Sequence, residues 1–239
     1  MLEIGPGAGA LTSELLSRGR RVAAVEIDRD LARGLRERFP ADRLWVTEGD
    51  ILAIAFREVA RMAGWPEGAP FAVAGNLPYN ISKPVAMRVV QQRADVDRAV
   101  LMYQREVAER LIAGPGTRSY GPLSVLVGTA YDVAIAFDLP PSAFRPAPKV
   151  WSSVTVWSRR QTGAFDDAEM AALSRCLATC FAHRRRTLLN NLRAALPGGE
   201  AAARALLEAA GIAPDVRAEA VAPARFVALS RAWPEDSVR

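Results

Sequence analysis

The stretch EIGPGAGAL, residues 3 to 11, decides how the rest of the chain is read. It follows a short apolar run, MLEIG (1–5), and opens a helical pattern, ALTSELLSRG (10–19). Gly5, Gly7 and Gly9 let the backbone turn tightly and come close to a ligand. A glycine turn between a strand and a helix marks a sheet that binds nucleotides at its strand ends. Alone it leaves the ligand open, because Gly5-x-Gly7-x-x-Ala10 also fits a dinucleotide fingerprint.

Working outward, apolar runs alternate with helical patterns. RVAAVEID (21–28) reads as a second strand and RLWVTEGD (43–50) as a third. Between them DRDLARGLRERF reads as a helix, with Asp28 or Asp30 as its N-cap. FAVAGN (71–76) and RAVLMYQ (98–104) follow as strands four and five, and VAERLIAG as a helix. Such alternation implies a mostly parallel sheet with helices on both faces. DVAIAFDLP (132–140) and WSSVTVWSR (151–159) come in succession, so a hairpin should place an antiparallel strand in the sheet. QTGAFDDAEM reads as a polar turn, with Asp166 and Asp167 as a helix cap. Helical patterns then cover 167–182, 184–196, 200–210 and 223–233. The expected organisation is an α/β domain over 1–159 and a small all-helical domain over 160–239.

Acids narrow the ligand. Glu3 lies inside the first strand, just before the turn. Glu26 ends the second strand, where a carboxylate can accept from two ribose hydroxyls. Asp50, followed by Ile51, ends the third, where it can accept from an adenine amino group. An acid, a glycine turn and two further acids on three successive strands resemble the class I methyltransferase pattern for S-adenosylmethionine.

GNLPYNIS (75–82) closes the fourth strand, across the expected cleft from the methyl donor. The Asn76 side chain offers a carbonyl acceptor. Pro78 lacks an N–H and fixes its own φ, so the turn can aim a main-chain carbonyl into the cleft. Tyr79 offers a flat face for a base. These groups suit methylation of an exocyclic amine. The adenine N6 lone pair is delocalised into the ring, and two acceptors on its two hydrogens would draw the nitrogen towards a tetrahedral shape. The methyl electrophile is already activated, so catalysis rests on positioning and electrostatics rather than on a strong base. A base within folded RNA must be unstacked to reach such a pocket.

EIGPGAGALT, AVEIDRDL, NLPYNIS, YGPLSVL, PPSAFRPAPKVWSSV and HRRRTLLNNL, in that order, resemble the bacterial small-subunit rRNA adenine N6-dimethyltransferases. The resemblance implies a Rossmann-like methyltransferase domain followed by a small helical domain. It implies transfer of methyl groups from S-adenosylmethionine, with no metal, to two adjacent adenines in a hairpin near the 3′ end of small-subunit rRNA, late in 30S assembly. By it, Glu3, Gly5, Gly7, Glu26, Asp50, Ile51 and Asn76 would form the donor site. Asn76, Leu77, Pro78 and Tyr79 would surround the target amine, and Phe144 would be the second aromatic to close on the flipped base. Pro140, Pro141, Pro146 and Pro148 stiffen the loop around Phe144. Arg145 and Lys149 beside it, and Arg184, Arg185 and Arg186, are candidate RNA phosphate contacts. A cytoplasmic monomer is the expected state. Relatives begin with a Gly-Gln-Asn-Phe-Leu-like segment that has no counterpart here, and Met1 falls directly on a core strand, so a preceding segment is expected.

Composition agrees without deciding. The net charge of +5 and a pI of about 9.7 permit a polyanion partner, and nearly all the positive charge is arginine, with Lys83 and Lys149 the two lysines. From composition alone, an alanine- and arginine-rich genome is the favoured account of that charge. Cys176 and Cys180 make no disulfide framework. With His183 they are too few for a structural zinc site and read as small core residues. Three rivals remain: a large-subunit adenine dimethyltransferase, a non-catalytic ribosome-assembly factor, and an NAD-dependent oxidoreductase that would leave NLPY unexplained.

Overall fold

A computed structural model describes residues 1–161 and 165–233. The chain runs β1 (Leu2–Ile4), α1 (Ala10–Ser17), β2 (Val22–Glu26), α2 (Arg29–Arg38), β3 (Leu44–Glu48), α3 (Phe56–Met62), β4 (Phe71–Asn76) and α4 (Ser82–Gln91). It continues through β5 (Val96–Gln104), α5 (Arg105–Leu111), α6 (Pro122–Ala130), β6 (Tyr131–Leu139) and β7 (Ser152–Arg159). Helices α7 (Asp167–Cys180), α8 (Leu188–Leu192), α9 (Gly199–Ala209) and α10 (Pro223–Arg231) follow.

The seven strands form one sheet in the order β3-β2-β1-β4-β5-β7-β6. The pairs among β1 to β5 are parallel, and β7 is antiparallel to both of its neighbours. This is the class I methyltransferase arrangement, and the late hairpin enters the sheet as its pattern implied. Every residue of β1 and β2 is buried, as parallel strands covered on both faces require. Leu16 of α1 with Ala32 and Leu35 of α2 packs on Val22, Ala24, Leu44 and Val46. On β5 and β7, Tyr103 and Trp157 stack at 6.3 Å, and Tyr131 meets Trp157 edge-on. The Trp157 indole N–H donates to Thr155, whose hydroxyl donates to the Leu101 carbonyl.

Several local expectations are refined. Asp28 is the cap of α2, its Oδ1 accepting from the amides of Asp30 and Leu31. Helices α3, α4 and α6 were not legible from periodicity. Pro84 lies in the first turn of α4, where its missing amide costs nothing. Helix α6, PLSVLVGTA, is apolar almost throughout and reads equally as a buried strand. The helix expected over 184–196 is corrected to the short α8. Thr187 caps it by accepting from the Asn190 amide, and Arg184, Arg185 and Arg186 lie in turns before it. Asp166 caps α7 in a reciprocal box with Glu169. Residues 162–164 of the expected polar turn, and residues 234–239 of the expected helical domain, lie outside the described residues.

The chain divides into two compact units, Met1–Ala108 with Tyr131–Arg159, and Glu109–Ala130 with Arg160–Arg239. The segment 109–130, read from sequence with the first domain, therefore groups with the second. The Tyr120 hydroxyl donates to the Val221 carbonyl at 2.8 Å, the Gly116 amide to the Glu219 carbonyl at 2.7 Å, and the Tyr120 ring meets Phe181 edge-on. Cys176 and Cys180 are buried on α7 with their sulfurs 3.9 Å apart.

Candidate active site

Parallel pairing aligns the C-terminal ends of β1, β2 and β4, with Ile4 opposite both Val25 and Gly75. Glu26 lies opposite Glu48 on β3. One sheet edge thus carries the glycine turn, Glu26, Asp50 and the loop from Asn76.

The turn is locked to β2 at two points. The Gly5 amide donates to the Val25 carbonyl at 2.9 Å, and the Gly7 amide donates to Glu26 Oε2 at 2.9 Å. The second Glu26 oxygen accepts from the Asp28 amide at 3.0 Å, and the side chain is 5% exposed. Gly5 and Gly7 have φ of 62° and 57°, a region that glycine adopts without strain. A Cβ at either would meet nothing within 4 Å, so there is room for a ligand to lie close against the backbone. Gly9 is different: its Cβ position lies 2.8 Å from Leu35 and 2.9 Å from Phe39, so it serves packing against α2.

Glu3 sits behind the turn rather than on its surface. It is 1% exposed, and its Oε2 accepts from the Thr12 hydroxyl at 2.7 Å. Burial pushes its carboxyl above the usual range, and the nearby Glu26 charge adds to that, while the Thr12 bonds oppose it. Asp50 is exposed, with Oδ1 held by the Leu52 amide at 2.8 Å. Ile51 beside it is buried. These groups fit S-adenosylmethionine: an open glycine floor, a braced carboxylate for ribose hydroxyls and an exposed carboxylate for an amino group.

Asn76 is exposed at the end of β4. Gly75 before it permits close approach, since a Cβ there would lie 3.0 Å from the Ile4 carbonyl oxygen. Leu77 turns inward and is buried, while Pro78 is exposed. The Pro78 carbonyl accepts from the Ile81 amide and the Ser82 hydroxyl, both at 3.2 Å. It is therefore engaged in starting α4, which leaves the Leu77 carbonyl as the main-chain acceptor to consider. Tyr79 is half-buried, and its hydroxyl lies 2.9 Å from Ser152 Oγ.

The loop between β6 and β7 is rooted at the same edge, because Ser152 pairs with Gln104 at the end of β5. Phe144 is half-buried in that loop after a single 3-10 turn, Pro141–Ala143, and its amide donates to the Pro141 carbonyl at 3.2 Å. Arg145 and Lys149 are exposed on the same loop. Arg184, Arg185 and Arg186 belong to the second unit. Arg184 there donates through Nη2 to the carbonyls of Arg118 and Tyr120 and faces Glu219 at 3.5 Å, while its side chain stays about half exposed. Among the described residues, no group of three or more His, Cys, Asp or Glu could hold a metal, and no helix is long and apolar enough to cross a membrane.

Thr12 and Ser152 were missed from sequence. A threonine in a first helical turn carries no mark of the carboxylate it will meet. The hydroxyl-rich start of β7, Ser152, Ser153 and Thr155, all buried, was the available signal.

Residues 1–233 match the family model described as Ribosomal RNA adenine dimethylase. The Ribosomal RNA small subunit methyltransferase A of Myxococcus xanthus is 43% identical, over 97% of this chain and 80% of the relative. That of Acidobacterium capsulatum is 40% identical, again over 97% and 80%. Among solved structures, a dimethyladenosine transferase from Plasmodium falciparum superposes with a TM-score of 0.73 at 26% identity, covering 95% of this chain and 87% of the other. The 23S rRNA methyltransferase ErmE gives 0.67 at 25%, covering 97% and 89%.

Proposed function

We propose, from the premise that the chain belongs to the ribosomal RNA adenine dimethylase family, that it dimethylates two adjacent adenines in the 3′-terminal hairpin of small-subunit rRNA during 30S assembly. The coarser activity is S-adenosylmethionine-dependent methylation of rRNA adenines. The observation that carries the reading is the placement of the Asn76–Tyr79 loop beside the glycine turn, with Ile4 opposite Gly75. The choice of the small over the large subunit is supported by the relatives at 43% and 40% identity.

When bound, S-adenosylmethionine supplies an electrophilic methyl group on a sulfonium centre. Glu26, braced by two amides, would accept from its ribose hydroxyls, and Asp50 from its adenine amine, over the floor of Gly5 and Gly7. Glu3 would hold α1 through Thr12 from behind rather than touch the donor. The Asn76 side-chain oxygen and the Leu77 carbonyl would accept the two hydrogens of the target N6, which turns its lone pair outward. Tyr79 and Phe144 would hold the flipped base by its faces. Positioning and preorganised dipoles would provide the acceleration. Arg145 and Lys149 would grip phosphates near the target, and Arg185 and Arg186, on the second unit, would make phosphate contacts of their own. A monomer in the cytoplasm, where the subunit is assembled, completes the proposal.

The test is transfer of labelled methyl from S-adenosylmethionine to unmethylated small and large subunits, with the RNA digested to nucleosides. Dimethyladenosine in small-subunit RNA is expected. Label confined to large-subunit RNA would overturn the choice of substrate. Absence of product from both would favour a non-catalytic assembly factor.

A further inference from the structure

We propose that Ser152 is a positioning residue for the methylation, acting through the Tyr79 hydroxyl. The inference rests on the reading above in which Tyr79 stacks on the target base. Ser152 is the first residue of β7 and is fully buried, at 0% exposure. It is clamped on both sides, paired with Gln104 on β5 and with Leu139 on β6. A buried hydroxyl costs free energy unless it is hydrogen-bonded, and the partner of Ser152 Oγ is Tyr79 Oη at 2.9 Å. The pair is far apart in sequence and joins two loops that the strand pairing alone leaves separate.

The geometry gives this bond a specific effect. Tyr79 follows β4 in a loop, so its backbone fixes only one end of the ring. A tyrosine ring has two free torsions, and holding its hydroxyl removes most of that freedom. Ser152 is also where the Phe144 loop enters the sheet. Its neighbour Ser153 faces the other side of the strand and donates to Asp138 Oδ1 at 2.6 Å, while Asp138 pairs with Arg105 at 3.7 Å. The root of the Phe144 loop is thus pinned on both faces of the sheet, and the Tyr79 ring is referred to that root by one hydroxyl. The two aromatics inherit a common frame before a base arrives, which reduces the ordering that binding must complete.

Four forms test this: the parent, Ser152→Ala, Tyr79→Phe and the double variant. Each is assayed for kcat and KM on unmethylated small subunits and for affinity for S-adenosylhomocysteine. A hairpin carrying 2-aminopurine at the target position reports stacking by its quenching. Each single change is expected to lower kcat roughly fivefold, the size of one hydrogen bond. Donor affinity should hold within about twofold, quenching should weaken, and the double variant should be no slower than either single one. Multiplying losses in the double variant, or Ser152→Ala with unchanged kcat and quenching, would overturn the proposal. Tyr79→Ala with full activity would instead remove the stacking reading on which it rests.

Discussion

Thr12 donates its hydroxyl to Glu3 at 2.7 Å, and both side chains are sealed from solvent beneath the glycine turn. Burial raises the Glu3 carboxyl above its ordinary value of 4.5. The folded chain therefore binds this proton more readily than the unfolded chain. The resulting contribution is fully present below the ordinary value and is lost as pH rises through the raised folded value. Glu3→Gln removes that titration. Urea melts of parent and variant across the acid-to-neutral range should differ by a term that moves in favour of the variant as pH rises. A constant difference would mean that Glu3 titrates normally.

Glu26 accepts from two backbone amides with its two oxygens. Glu26→Gln puts an amide group against one of those N–H donors and removes the charge proposed to face the ribose. Affinity for S-adenosylhomocysteine should fall about 10- to 100-fold, the range for a charged hydrogen bond. Titration calorimetry reads this directly.

Asn76→Ala should lower methyl transfer by about 100-fold or more, comparable to losing one donor from a preorganised electrostatic site. RNA binding should persist, since no phosphate contact is removed. An equal fall in RNA binding, measured by filter retention, would count against the assigned role.

Gly75→Ala would bring a Cβ to 3.0 Å from the Ile4 carbonyl oxygen and 3.1 Å from Leu77 Cδ2. The first neighbour is backbone and cannot rotate away. A loss of about 1–3 kcal/mol in stability is expected from overpacking. Activity should fall with it, because β4 carries Asn76. Thermal melts and turnover measured together check both.

The Tyr103 hydroxyl is buried with no hydrogen-bond partner among the described residues, and burial pushes its ionisation far upward. Tyr103→Phe keeps the stack on Trp157 and removes the unpaired group. Stability should be unchanged or rise by up to about 1–3 kcal/mol. A clear loss in urea melts would mean that the hydroxyl is satisfied in solution.

Most of the sheet was legible because its strands are marked by composition and punctuation. Glu26, Asp50 and Asn76 stand where apolar runs stop, so their common edge follows from parallel pairing. What sequence did not reveal depends on which groups meet once the turns and helices have formed. Leu77 to Tyr79 reads as one motif, yet the Pro78 carbonyl is spent on Ile81 and Ser82. Glu3 reads as a donor-site acid, yet it is covered by Thr12. Arg184 reads as a free cation, yet one of its nitrogens also ties the carbonyls of Arg118 and Tyr120. Helix α6 has no polar face to give it a period. The Arg184 partners lie 66 and 64 residues away, whereas those of Glu3 and Pro78 are near in the chain and meet only once the turns have formed.

The interleaving of the two units sets how this protein can be dissected. The chain passes from one to the other after Ala108, returns after Ala130 and leaves again after Arg159. A fragment cut at Arg159 would strip the buried Tyr120 of its Phe181 ring contact and its hydroxyl of the Val221 acceptor. Truncation at the apparent boundary would therefore produce an aggregation-prone piece. A separable catalytic unit requires Ala108 to be rejoined to Tyr131 by a new linker, and chimaeras with relatives must exchange residues 109–130 together with the C-terminal helices.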